Sequence, residues 1–302
     1  MRRPLIFSAI RICRRYAKAH GRLPRLFGAR RFTEKMQWRK IFDFNPAFPV
    51  LCDKIAARDF ILARVGSEHL IPLIWSGLPA EIPFHAVPRP FFLKSTHASG
   101  QVIMVGRDAE PDVATIRARA EAWLAVNYGA DRDQPGYVPV PARLMIERTI
   151  TTDEGARPNE IRFFVFHGKV AVINTVFVDD GQIRSGAFHT PDWVRLNWHF
   201  TRKVEHPFPR PMRLRDMIIM AERLGEGLDH LRVDMYDCGE RFWIGELTVY
   251  SWSGYSRFQP DEADLELGAF WRTPPLRWPA MLSMLVRGRS FPLGEDASVS
   301  AC

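Results

Sequence analysis

Arg232 and Asp234 stand two residues apart late in the chain, and Glu246 and Thr248 repeat that spacing shortly afterwards. Residues two apart on a strand share a face, so two adjacent strands can bring Asp234, Glu246 and Arg232 into one cleft. Paired carboxylates suit magnesium where it bridges phosphates, because the hard cation takes oxygen ligands. An arginine beside them would offset charge on a phosphoryl group in transfer. A surface hairpin of mixed charge fits the same pattern: Val233, Met235, Trp243, Ile244 and Leu247 supply a core face and leave the acids facing either a cleft or solvent.

Two earlier features add to this pair. Lys94 ends an apolar run and opens the small-residue loop Ser95-Thr96-His97-Ala98-Ser99-Gly100. A lysine there can neutralise phosphate oxygens while small residues let backbone N–H groups approach them; an ordinary hairpin with an exposed lysine reads the same way. Glu147 ends the run Leu144-Met145-Ile146 before a polar, Gly-containing stretch over 151–159. Its carboxylate could accept the exocyclic amine of adenine, or simply be solvated.

The elements that must position these residues alternate between helix and strand. The spacing predicts helices over 53–65, with Asp53 as N-cap, over 116–127 and over 214–228. It predicts strands over 91–93, 101–105, 143–147, 161–167, 170–178, 231–237 and 242–248, with Gly168-Lys169 as a tight turn and 151–159 as a hinge between lobes.

Taken together, these features resemble the ATP-grasp superfamily, and within it the TupA-like family of polysaccharide and teichuronopeptide biosynthesis. The resemblance is carried by Phe32-Thr33-Glu34-Lys35-Met36-Gln37-Trp38, Asp53-Lys54-Ile55-Ala56-Ala57-Arg58, the Phe92–Gly100 run, Phe164-Val165-Phe166-His167-Gly168-Lys169, Leu231-Arg232-Val233-Asp234-Met235-Tyr236 and Gly245-Glu246-Leu247-Thr248. It implies an α+β ATP-grasp fold whose two α+β lobes grip ATP and Mg2+. Lys54 and Lys94 would contact phosphates, with His97, Ser99 and Gly100 in a flexible loop above them. Glu147 and the following backbone would form the adenine hinge, Asp234 and Glu246 would hold magnesium, and Arg232 would contact the reacting phosphate. Two positions depart from the pattern. Thr248 stands where ATP-grasp ligases commonly have asparagine and is a weaker metal ligand, and Arg162 replaces a lysine at a phosphate contact, keeping charge but changing geometry.

Composition is compatible with such an enzyme: 302 residues, 46% apolar and 25% charged, make a sizeable core possible and exclude a disordered or fibrous chain. The net charge of +8 favours anionic partners, and the first acidic residue, Glu34, follows a run of arginines and lysines that begins at Arg2. Residues 1–50 thus read as a basic helical arm and lead-in, 51–150 as the first lobe and 151–302 as the second. The arm could rest on an anionic membrane through Leu5, Ile6, Ile10 and Cys13, or pack on the catalytic body. It lacks the uninterrupted apolar run of a secretory signal, and Cys13, Cys52, Cys238 and Cys302 lack metal-site or disulfide spacing, so a cytoplasmic location is expected, at most at the inner face of the membrane.

By resemblance, the reaction is ATP-dependent ligation through an acyl phosphate, with an acidic saccharide or an amino acid as substrate. Arg195, Arg202, Lys203 and Arg210, interleaved with Trp193, Trp198 and Phe200, could hold the saccharide, or form a packed aromatic loop with a solvated rim. A sugar kinase and a non-catalytic polyanion-binding protein are the rival readings; no signature of specific nucleic-acid binding is visible.

Overall fold

Alternating apolar residues in ten segments build two sheets. The structure is a computed structural model and describes residues 5–276 apart from 109, 180–181 and 201–207. Helices α1 (Leu5–His20), α2 (Phe32–Phe42), α3 (Ala47–Cys52) and α4 (Ala56–Val65) come first. Strands β1 (Leu73–Gly77), β2 (Phe91–Ser95) and β3 (Val102–Val105), helices α5 (Val113–Leu124) and α6 (Tyr128–Arg132), and strand β4 (Leu144–Arg148) follow. The chain continues through β5 (Asn159–Phe166), β6 (Lys169–Asp179), β7 (Gln182–His189), β8 (Arg195–Leu196), α7 (Leu214–Gly225), β9 (His230–Asp237), β10 (Phe242–Thr248) and α8 (Glu262–Ala269). One sheet has the order β1-β4-β2-β3 and the other β10-β9-β5-β6-β7-β8, with every paired neighbour antiparallel.

In the smaller sheet the two-residue period decides what faces the cleft. Phe91 and Leu93 of β2 pack with Leu144 and Ile146 of β4 against Ile116 and Ala120 of α5. Lys94 lies on the alternate face of β2 and is only partly buried. Lys94 pairs with Met145 and Phe92 with Glu147, so Lys94 and Glu147 are diagonal neighbours on one face.

The larger sheet is covered on both faces. Helix α7 supplies Leu214, Met217, Ala221 and Leu224 to the core, and Gly225 lies so close to β5 that a Cβ there would meet Val165 Cγ1 at 2.4 Å. On the other face Phe32 of α2 stands edge-on to Phe164 and Phe166, with ring centroids 5.9 and 6.2 Å apart. Residues from Phe32 through Ile61 belong to this larger core, so the lead-in and the start of the first lobe are packed with the second sheet. A separate cluster of Ile71, Cys238 and Trp243, with Ile150 and Tyr236 against it, forms where the chain leaving β4 meets β9 and β10.

Two local expectations change. The helix expected over 53–65 begins at Ala56, because the Asp53 carboxylate accepts a hydrogen bond from Ile55 N–H (2.9 Å) in a turn that separates α3 from α4. The β5–β6 turn is made by His167 and Gly168, both with positive φ (49° and 77°), and Lys169 already belongs to β6.

The basic arm packs on the body. Ile12 and Tyr16 of α1 are fully buried, and Arg11 and Arg15 both bind the buried carboxylate of Asp133. Ile6, Phe7 and Ile10 on the outer side of α1 are exposed. Among the described residues, no helix is long and apolar enough to cross a membrane.

Candidate active site

Arg162, Asp234 and Glu246 form one row across β5, β9 and β10, since Arg162 pairs with Asp234 and Asp234 with Glu246. The register depends on a bulge: Ile244 opposes Met235 while Glu246 opposes Asp234, which makes Gly245 the extra residue. An unbulged strand would put Glu246 on the face of Ile244, toward the core; the bulge re-aims it to the face of Asp234. Thr248 pairs with Arg232, so the row behind the acids carries the arginine and the hydroxyl.

Contacts in this patch are dense. Arg232 donates from Nε to Asp234 Oδ1 (2.7 Å) and from Nη2 to Asp234 Oδ2 (2.6 Å), and also from Nη2 to Thr248 Oγ1 (3.2 Å). Arg162 donates to Glu160 (2.7 Å) and lies 3.9 Å from Asp234. Burial lifts the Glu160 carboxyl above its ordinary range, opposed by the Arg162 guanidinium. Trp252 places its ring 5.2 Å from the Arg232 guanidinium and stacks on Phe164. Trp252 and Ser253 are non-glycine residues with positive φ (47° and 56°), a strained stretch beside the patch.

Lys54, in the turn between α3 and α4, reaches across toward Glu246 (3.9 Å) and donates to the carbonyl of Ala98. Burial pulls its ammonium below the ordinary lysine range, opposed by Glu246 and reinforced by Lys94. Lys94 donates to Glu147 Oε2 (2.8 Å), and Arg58 donates to Glu147 Oε1 (3.1 Å).

Two adjoining cavities share Glu246. The smaller, about 30 Å³, is lined by Lys54, Arg58, Lys94, Glu147 and Glu246 with apolar Ile61, Leu70, Met145 and Ile244. The larger, about 890 Å³, is lined by Ser99, Arg162, Arg232, Glu246 and Thr248, with Trp252, Tyr128 and the arm residues Arg15 and Lys18. Lys54, Lys94, Glu147, Arg162, Arg232, Glu246, Thr248 and Ser99 thus all border one composite cleft. Asp234 sits behind Arg232 and is only 3% exposed.

The other residues expected at the site differ in their surroundings. His97 does not overhang the cleft: it is buried, with Nε2 on the carbonyl of Trp123 (3.2 Å) at the end of α5, where helix carbonyls lack intrahelical partners. Burial holds its imidazole below the ordinary range. Gly100 is exposed with φ 76° and no atom near an added Cβ, a conformation that glycine adopts without strain. The Glu147 carboxylate is neutralised by Lys94 and Arg58, so an adenine amine would have to compete with two cations for it. The aromatic stretch is packed rather than presented: Trp198 is buried, Phe200 meets Trp252 at 4.7 Å, and Trp193 stacks on His189. Arg202 and Lys203 lie outside the described residues. Neither residue type nor spacing singles out Arg58 or Trp252 before the chain is folded, although both lie inside or beside the motif segments.

The oxygen donors fit magnesium. Asp234 and Glu246 share a face, and magnesium is typically held by one or two carboxylates plus waters and phosphate oxygens. Among the described residues no group of three or more His, Cys, Asp or Glu could cage a metal. A carboxylate has about four lone-pair sites, so the two hydrogen bonds from Arg232 leave Asp234 capacity for a cation. The Thr248 hydroxyl is already engaged by Arg232.

The family model for TupA-like ATP-grasp proteins matches residues 34–272. The chain belongs to the TupA-like ATP-grasp family. Its fold is the ATP-grasp fold, of mixed helices and antiparallel sheets. Solved structures similar to this TupA-like chain include the ATP-grasp ligase PsnB complexed with minimal precursor (12% identity, TM-score 0.38, 68% of this chain and 54% of that one). Others are D-alanine–D-alanine ligase from Bacillus anthracis (17%, 0.42, 78% and 66%) and an ADP complex of N5-carboxyaminoimidazole ribonucleotide synthetase (13%, 0.43, 75% and 54%). The chain spans about half to two thirds of the length of these structures. No curated protein matches it.

Proposed function

We propose that this TupA-like protein is an ATP-dependent ligase that activates a carboxylate as an acyl phosphate for attack by an amine or similar nucleophile, in the assembly or modification of a surface polysaccharide. The observation that carries this reading is the meeting of Lys54, Lys94 and the acid-and-arginine patch of β9 and β10 on one cleft. Lys54 and Lys94 hold phosphate oxygens; the apolar side chains of Ile61, Leu70, Met145 and Ile244 line the side toward which a base would lie, in a slot that at about 30 Å³ must open to admit one. Asp234 and Glu246 hold magnesium, which when bound screens phosphate charge.

The remaining work falls to the chain's own groups. A substrate carboxylate oxygen attacks the terminal phosphorus, and the bond to the ADP oxygen breaks. Arg232, held in place by Asp234 and Thr248, keeps its charge on the oxygens of the transferring group. An amine then attacks the acyl carbon, loses its proton, and expels phosphate. An acidic saccharide or amino acid fits a cavity rich in cations.

Incubating the protein with ATP, magnesium and panels of uronic acids and amino acids tests this. A ligase yields ADP, free phosphate and an adduct lighter than its parts by one water. A sugar kinase, the rival, yields ADP and a phosphorylated product without free phosphate.

A further inference from the structure

The larger cavity is walled by five cations, Arg15, Lys18, Arg132, Arg162 and Arg232, against one carboxylate, Glu246. Three of the five have their own acids: Arg15 with Asp133, Arg162 with Glu160, and Arg232 with Asp234. Lys18 and Arg132 have no carboxylate partner among the described residues.

Both are placed by a specific clasp. Arg11 and Arg15 of α1 bind Asp133, which is buried in a left-handed conformation (φ 56°) just after α6. They also donate to the carbonyls of Ala130 and Asp131 (both 3.1 Å), which serve as part of the C-terminal cap of that short helix. Lys18 follows Arg15 by three residues and so lies on the same face of α1. Arg132 ends α6, its guanidinium 5.9 Å from the Tyr128 ring. The clasp therefore ties together the two helices that bring an arm cation and an α6 cation to the cavity, whereas Arg162 and Arg232 reach it from β5 and β9. At about 890 Å³ the cavity lies toward the top of the range of small-molecule sites, roughly 300–1,000 Å³, with room beyond one reacting group.

We propose that α1 and α6 form an anion subsite in which Lys18 and Arg132 hold a further carboxylate or phosphate of the substrate, remote from the reacting centre. This rests on the ligase reading. It makes the N-terminal arm a substrate-binding element rather than an appendage.

The test uses the full chain loaded with magnesium and a non-hydrolysable ATP analogue, titrated calorimetrically with inorganic phosphate and, separately, with tricarballylate. At least one anion binds the unaltered protein, and the one that does so identifies the group the subsite takes. Lys18→Gln and Arg132→Gln each weaken it by about tenfold, as loss of one charge-assisted contact would, while analogue affinity stays within about twofold. Both side chains are exposed, so neither variant threatens folding. Unchanged anion affinity in both variants, or no binding of either anion to the loaded protein, overturns the proposal. If the analogue itself fails to bind the unaltered chain, the ligase reading falls instead, and the same titrations without nucleotide still decide the subsite.

Discussion

Asp234 has two duties under the proposed function, as a magnesium ligand and as the partner that holds Arg232. Asp234→Asn should therefore remove most magnesium-dependent ATP turnover and also destabilise the fold by about 3 kcal/mol, because a buried guanidinium loses its charge partner. Glu246 is more exposed, 28% of its side chain, so Glu246→Gln should cost comparable turnover with little change in urea midpoint. Steady-state kinetics and denaturation of the two variants check the contrast. Arg232→Lys keeps the charge but loses the fork that spans Asp234 and Thr248, so turnover should fall more than ATP affinity. His230 gives a second residue-scale expectation. Burial, with Arg39 beside it, pulls its imidazole down to about 3. Below an unfolded value near 6.5, the unfolded chain takes up a proton that the native ring refuses. Stability is therefore lost progressively as pH falls from about 6.5 toward 3. His230→Gln should show a shallower fall in urea midpoint between neutral and acid pH. Asp43 and Asp264, raised to about 6 by burial, act in the opposite sense and are common to both proteins.

Among the elements, β9 and β10 were legible because alternation along each strand puts Arg232 with Asp234 and Glu246 with Thr248. The bulge at Gly245 that aligns the two pairs was not, since no spacing reveals which residue the ladder skips. The small sheet was legible in β2, β3 and β4 but not in β1, whose Leu73–Gly77 run is mostly exposed and carries little pattern. The Lys94–Glu147 contact is a property of register, invisible until β2 and β4 are paired. Glu147→Gln should free Lys94 and Arg58 from their acid. Their unbalanced charge should leave phosphate-side affinity intact or raised, while the melting temperature drops by a few degrees; nucleotide titration and thermal melting separate the two effects.

At the scale of the whole molecule, the sequence left the basic arm either to rest on a membrane or to pack on the catalytic body, and α1 and α2 are packed on the body. Tyr16 meets Thr33, His20 meets the carbonyl of Gly254, and Arg22 and Arg31 both pair with Asp261. These contacts join positions more than 200 residues apart in several cases, which no local pattern discloses. Deleting residues 1–31 should therefore lower the unfolding midpoint markedly, as seen by calorimetry, rather than leave the remainder untouched. The measurement that bears most directly on the account is binding of a non-hydrolysable ATP analogue, with and without magnesium, to the unaltered chain and to a Lys54→Ala, Lys94→Ala double variant. Magnesium-dependent binding that weakens by about a hundredfold, as loss of two charge contacts to phosphate would cause, is the predicted result. Undiminished affinity in a folded double variant would contradict it.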